Sequence, residues 1–188
     1  DRSATNNFAG YISNLRLSNT NLTISSTPTT PLTALGSTIF LSCGYNRFID
    51  GSSLASAITV SSGTPRTQAL QPFSPTASYT TAPYGGSVYF NGSSGFKNTY
   101  VSNLVPSGDF TWECWVYMTS LAASQAFIAI TPDNSNRVVL QWDSTNGVRF
   151  SATYATVQQV NIQQGATTGW SINTWYHVAL VRNVNNYV

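Results

Sequence analysis

The segment Phe110-Thr-Trp-Glu-Cys-Trp-Val-Tyr-Met118 constrains this chain more than any other. Read with the period of a strand, it puts Phe110, Trp112, Cys114, Val116 and Met118 on one face. Thr111, Glu113, Trp115 and Tyr117 take the other. Large aromatics on both faces need cover on both, so the segment is expected in the middle of a sheet. Shorter runs of the same kind recur: Tyr11–Leu17, Thr38–Ser42, Ala57–Val60, Ser87–Asn91, Ala126–Ile130, Val138–Trp142, Val148–Tyr154 and Trp175–Val181. Clusters of Gly, Asn, Asp, Ser and Pro separate them, and no segment sustains a helical period. Between Trp142 and Val148 lies Asp143-Ser-Thr-Asn-Gly147, a hairpin turn with glycine where a positive φ is needed. The pattern predicts an all-β antiparallel sandwich.

Such a sandwich needs apolar material, and the 188 residues supply it: 41% are hydrophobic and 13% aromatic. Charge is scarce, at 7% against about 25% in an ordinary soluble domain. Ser, Thr, Asn and Gln provide the polarity instead, a composition suited to extracellular and virion surfaces. Eight basic and six acidic residues are spread out, with a net charge of +2. No cluster can neutralise several phosphates together, which argues against nucleic-acid binding. No apolar run approaches the roughly 20 residues of a membrane span, so no insertion is expected. Cys43 and Cys114 are too few for a disulfide framework or a zinc site, and each sits in an apolar run. They read as two buried thiols, with a bridge closing the long loop between them as the alternative.

Three motifs resemble those of laminin-G-like, concanavalin-A-like jelly rolls. Phe110-Thr-Trp-Glu-Cys-Trp-Val-Tyr117 resembles their F-T-x-E-x-W-V strand, and Trp175-Tyr-His-Val-Ala-Leu-Val-Arg182 their later W-x-H-V-A-x-x-R strand. Phe8-Ala-Gly-Tyr-Ile-Ser-Asn-Leu-Arg16 resembles the F-x-G-x-I-S-N-L-R strand that closes them. Leu41–Gly51, Ala57–Val60 and Val88–Gly92 are similar to tandem repeats of structural proteins from phages, especially those of marine cyanobacteria. The closing motif comes first here, so the resemblance implies a fragment of a tandem-repeat protein. Residues 1–24 then hold the closing strand of a preceding repeat. Residues 25–36, rich in Pro, Ser and Thr, form a linker, and residues 37–188 form a C-terminally incomplete jelly roll. The alternative is that residues 1–24 complete the same sheet as residues 37–188. The proline-bearing stretch Thr64–Gly86 is expected to lie extended over the surface.

The resemblance implies a non-enzymatic role in a phage virion, as a tail-fibre or particle-surface component. Its partners would be other virion proteins, further copies of itself and a host-surface glycan. A secreted or cell-surface bacterial adhesin is the alternative. Glycosidases of this broad fold use paired carboxylates on one strand, whereas Glu113 stands alone among Thr111, Trp115 and Tyr117. His177 reads as a structural, hydrogen-bonded residue. Trp142, Tyr154 and Trp170 lie near loop edges and are the candidate sugar-stacking residues, although such side chains also fill cores. No cofactor is expected. A calcium ion held at the rim, as in some laminin-G-like domains, would draw on Asp133 and Asp143, which are also ordinary turn formers.

Overall fold

A computed structural model describes residues 7–45, 47–73, 86–98, 108–131, 135–184 and 186–187. They form strands β1 (Ala9–Ser18), β2 (Thr38–Ser42), β3 (Ile58–Ser62), β4 (Arg66–Gln68), β5 (Ser87–Asn91), β6 (Gly95–Asn98) and β7 (Phe110–Met118). The second half adds β8 (Gln125–Ile130), β9 (Arg137–Asp143), β10 (Gly147–Tyr154), β11 (Val157–Gln163), β12 (Trp175–Asn183) and β13 (Asn186–Tyr187). A 7-stranded sheet runs β13-β12-β7-β1-β5-β4, with β2 pairing the far half of β1 beside β5. A 4-stranded sheet runs β11-β10-β9-β8, and β3 and β6 form a separate ribbon. All pairings are antiparallel. The expected all-β jelly-roll-type sandwich is what the chain forms.

The two sheets meet through the faces that the alternation selects. Trp112 and Phe110 of β7 reach Phe150 of β10 at centroid distances of 6.0 and 6.2 Å, and Phe8 meets Phe127 edge-on at 5.6 Å. Cys114, Val116, Met118, Leu140 and Trp142 complete a layer that is almost wholly closed to solvent. Cys43 and Cys114 are free thiols inside it. Burial pushes the Cys43 thiol up to about 12 and raises Cys114 as well, so neither is a ready nucleophile.

Strand β1 sits between β7 and β5, so the motif read as a closing strand lies in the same sheet as the strands after it. Its inward and outward sets do not alternate simply. Ile12, Leu15 and Leu17 enter the core, while Ser13 lies opposite Trp115 and Arg16 opposite Glu113. The extra residue is Asn14, at φ 52°, a bulge that re-aims Arg16 outward. The Asn14 side chain accepts from the Leu32 N–H at 2.9 Å and donates to Ser13 Oγ at 2.8 Å.

The stretch 25–36 is not a free linker. With the residues before it, it straps the outer face of the large sheet. Leu22 N–H donates to Thr111 Oγ1, whose hydroxyl donates to Thr20 C=O, and Arg16 donates to Thr33 C=O. Leu32 is buried there at 7% exposure. Proline and hydroxyl composition conceals this packing because the strap is held by hydrogen bonds to its backbone more than by apolar burial.

Two hairpin turns in the small sheet are tight. Asp143 Oδ1 accepts from the N–H groups of Thr145 and Asn146, and Gly147 follows at φ 77° as expected. Between β10 and β11, Ala155 (φ 48°) and Thr156 (φ 69°) join the paired residues Tyr154 and Val157. This two-residue connection has the φ signs of a type I′ turn, which Asn-Gly satisfies with far less strain. The double change Ala155→Asn, Thr156→Gly is expected to raise stability by about 1 kcal/mol, read from the urea midpoint at unchanged slope. A lower midpoint would show that the turn is not I′.

Candidate functional site

Of the five residues singled out from the sequence, the four that the structure describes do not form one site. Trp142 continues the inward row of Val138 and Leu140 and is 1% exposed, with its indole N–H donated to Leu121 C=O at 3.1 Å. A buried ring cannot stack on a sugar, which corrects that expectation. Trp170 is half-buried as a lid on the core, tilted against Trp142 at 5.3 Å and against Tyr176 at 4.2 Å. Its indole N–H goes to Gln164 Oε1. Tyr154 is 68% exposed but ends β10, about 20 Å along the strand from the Trp142 end.

Asp143 serves its turn. Burial would raise its carboxyl, but hydrogen bonds from Thr145 and Asn146, together with the Arg149 charge, outweigh that and hold it below the usual carboxylate range. Asp133 lies outside the described residues. Among the described residues no group of three His, Cys, Asp or Glu side chains could hold a metal ion.

The outer face of the large sheet carries two kinds of chemistry. Under the strap, Glu113 is fully buried and shared by Arg16 and His177 from the flanking strands. Arg16 donates through Nε at 2.8 Å and Nη2 at 2.5 Å to Oε1, and His177 Nε2 lies 3.1 Å from Oε2. Burial alone would raise the Glu113 carboxyl. The His177 hydrogen bond and the Arg16 charge and hydrogen bonds prevail, so it lies below the usual range. His177 thus has the hydrogen-bonded role read from its strand position.

Further along that face the strands bring four rings into one row. Register sets Tyr89 (β5) opposite Tyr11 (β1), Tyr11 opposite Tyr117 (β7), and Tyr117 opposite Trp175 (β12). Successive centroids are 5.0, 5.4 and 5.4 Å apart, and all four rings are partly exposed. At the open end, Arg66 on β4 is paired with Tyr89. Tyr11, Tyr89, Arg66, Gln68, Thr64 and Asn91 line a cleft of about 360 Å³, within the size range of small-ligand sites. Two aromatic rings beside Arg, Gln and Asn give apolar faces and planar hydrogen-bonding groups in one place. This suits a ring-shaped, hydroxyl-rich ligand.

Sequence reading did not find this cleft, since its members come from three separated segments that only the strand register aligns. One signal was available: Tyr117 alternates onto the outer face of β7, where not every position needs to be covered.

Residues 90–188 match the model of a family described as the concanavalin A-like lectin/glucanases superfamily. Neither the comparison with curated proteins nor that with solved structures gave a match. The matched region contributes Asn91, Tyr117 and Trp175, while Tyr11, Thr64, Arg66, Gln68 and Tyr89 lie before it.

Proposed function

The chain belongs to the concanavalin A-like lectin/glucanase superfamily, and from that premise we propose that it is a non-enzymatic saccharide-binding module of a phage virion surface. The observation that carries this reading is the cleft between Tyr11 and Tyr89, with Arg66, Gln68 and Asn91 at its rim. The superfamily fold is compatible with carbohydrate binding. A glucanase reading has less support, because Glu113 is fully buried and its carboxylate is engaged by Arg16 and His177. A retaining or inverting hydrolase needs two carboxyl groups flanking an accessible bond. The virion setting is supported by the resemblance of Leu41–Gly51 and its neighbours to phage repeats, and by a surface polar through amides and hydroxyls. In that setting other virion proteins and copies of the chain are its partners, and the glycan is on the host.

A glycan-array screen of the chain, run with Tyr89→Ala and Tyr154→Ala, tests the site. Tyr89→Ala is expected to weaken saccharide binding about tenfold or more, while Tyr154→Ala leaves it unchanged. Near-UV circular dichroism confirms that each variant is folded. Binding that survives Tyr89→Ala in a folded protein would remove the cleft from the reading.

A further inference from the structure

The cleft holds one charged side chain, and it is a cation. The Arg66 side chain is exposed and makes no ion pair or hydrogen bond with another described residue. In a chain with only six acidic and eight basic residues, an unneutralised guanidinium beside two aromatic rings is not part of a general charge field. Arg16 is committed to Glu113, Arg149 to Asp143, Asn161 and Gln158, and Arg182 to the Gly108 carbonyl. The remaining lining side chains are Thr64, Gln68, Tyr11, Tyr89 and Asn91. Asn91 already uses its carbonyl oxygen to accept from Ser93 N–H and Oγ, which leaves its NH₂ group as a donor. The cleft is therefore rich in donors and has no carboxylate to repel an anion.

The position of Arg66 fixes where such an anion would sit. Arg66 and Gln68 share one face of β4, Thr64 lines the same cleft from just before the strand, and Arg66 is paired across the ladder with Tyr89. β4 is the edge of the sheet, so the guanidinium fork stands at the open end of the row Tyr89, Tyr11, Tyr117, Trp175. A pyranose against Tyr89 and Tyr11 would bring an acidic substituent to a planar five-donor group built for bidentate pairing.

We infer that the cleft selects acidic saccharides, with the anionic group of the sugar paired to Arg66 and the ring against Tyr89 and Tyr11. This rests on the saccharide reading above and adds the ligand class to it. The family match does not assign it, since Arg66 and both rings lie outside the matched residues.

The test is an array holding neutral, carboxylated and sulfated glycans, read at low and high salt with the unaltered chain, Arg66→Gln and Tyr89→Ala. Bound members are expected to be acidic, with binding weakened at high salt. Arg66→Gln is expected to lower affinity for them about tenfold and to abolish the preference over neutral analogues. Tyr89→Ala lowers binding of both classes. Preference for carboxylated over sulfated members, or the reverse, identifies the anion. If neutral glycans bind equally well and Arg66→Gln changes nothing, the acidic inference fails while the saccharide site stands. If no glycan of either class binds, both fail.

Discussion

Glu113→Ala is expected to cost about 3–5 kcal/mol of folding stability, a large share of the roughly 5–15 kcal/mol that holds a domain together. The carboxylate is fully buried, and Arg16, whose side chain is 10% exposed, is left without its counter-charge when the carboxylate goes. What remains to the guanidinium is the Thr33 carbonyl. The cost arises from the abandoned cation more than from the lost bonds, and this gives the result a second signature. Replacing both partners, as in Arg16→Met with Glu113→Met, is expected to cost less than Glu113→Ala alone, measured by urea unfolding in a double-mutant cycle.

Acid supplies the third signature. Glu113 has a folded-state value below its unfolded one, so its contribution is complete above the unfolded value of about 4.3. As pH falls through the lower folded value, that contribution is lost. The unaltered chain should therefore lose stability steadily below about pH 4, and Glu113→Gln should flatten that slope. Asp143 is depressed in the same direction, so the slope is reduced and not removed. A double variant as unstable as Glu113→Ala, with an unchanged acid slope, would show that the buried pair does not tie β1 to β7.

The strands that pack on both faces were legible because their side chains state it directly. Phe110–Met118 is central in its sheet as its two faces require, and the Asp143–Gly147 turn joins the hairpin that its sequence predicts. β11 escaped notice because it is a glutamine-rich edge strand with most of its residues exposed, so it lacks alternation. Arg66–Gln68 is too short, and too close to prolines, to announce a strand. Trp142 shows a different failure. Its nearness to a turn suggested exposure, but a strand's face decides burial, and Val138, Leu140 and Trp142 share the core face. The aromatic row was hidden for a physical reason. Tyr11, Tyr89 and Tyr117 become neighbours through antiparallel register alone, a quantity that no local pattern contains.

Gly10→Ala carries the other large expected effect, a loss of about 3 kcal/mol or more, because the added methyl group would run into the backbone of β7. Gly10 has φ 150°, a backbone conformation that residues with a Cβ rarely adopt. A methyl group there would lie 2.1 Å from the Tyr117 carbonyl oxygen and 3.1 Å from Met118 Cα. Those are backbone atoms of the central strand, paired on both sides, and they cannot swing aside as a flexible side chain would. Gly36→Ala is the matched control, since nothing lies within 4 Å of its added Cβ, and it should change stability by no more than about 0.5 kcal/mol. Urea midpoints of the two variants separate a steric cause from the general entropy effect of glycine replacement. The next residue is Tyr11, so any shift of β1 that relieves the clash also displaces a wall of the cleft. Gly10→Ala should then weaken saccharide binding even where the protein remains folded, and Gly36→Ala should not. A Gly10→Ala variant as stable as Gly36→Ala would mean that β1 does not lie against β7 in this register, and the row built on it would dissolve with that pairing.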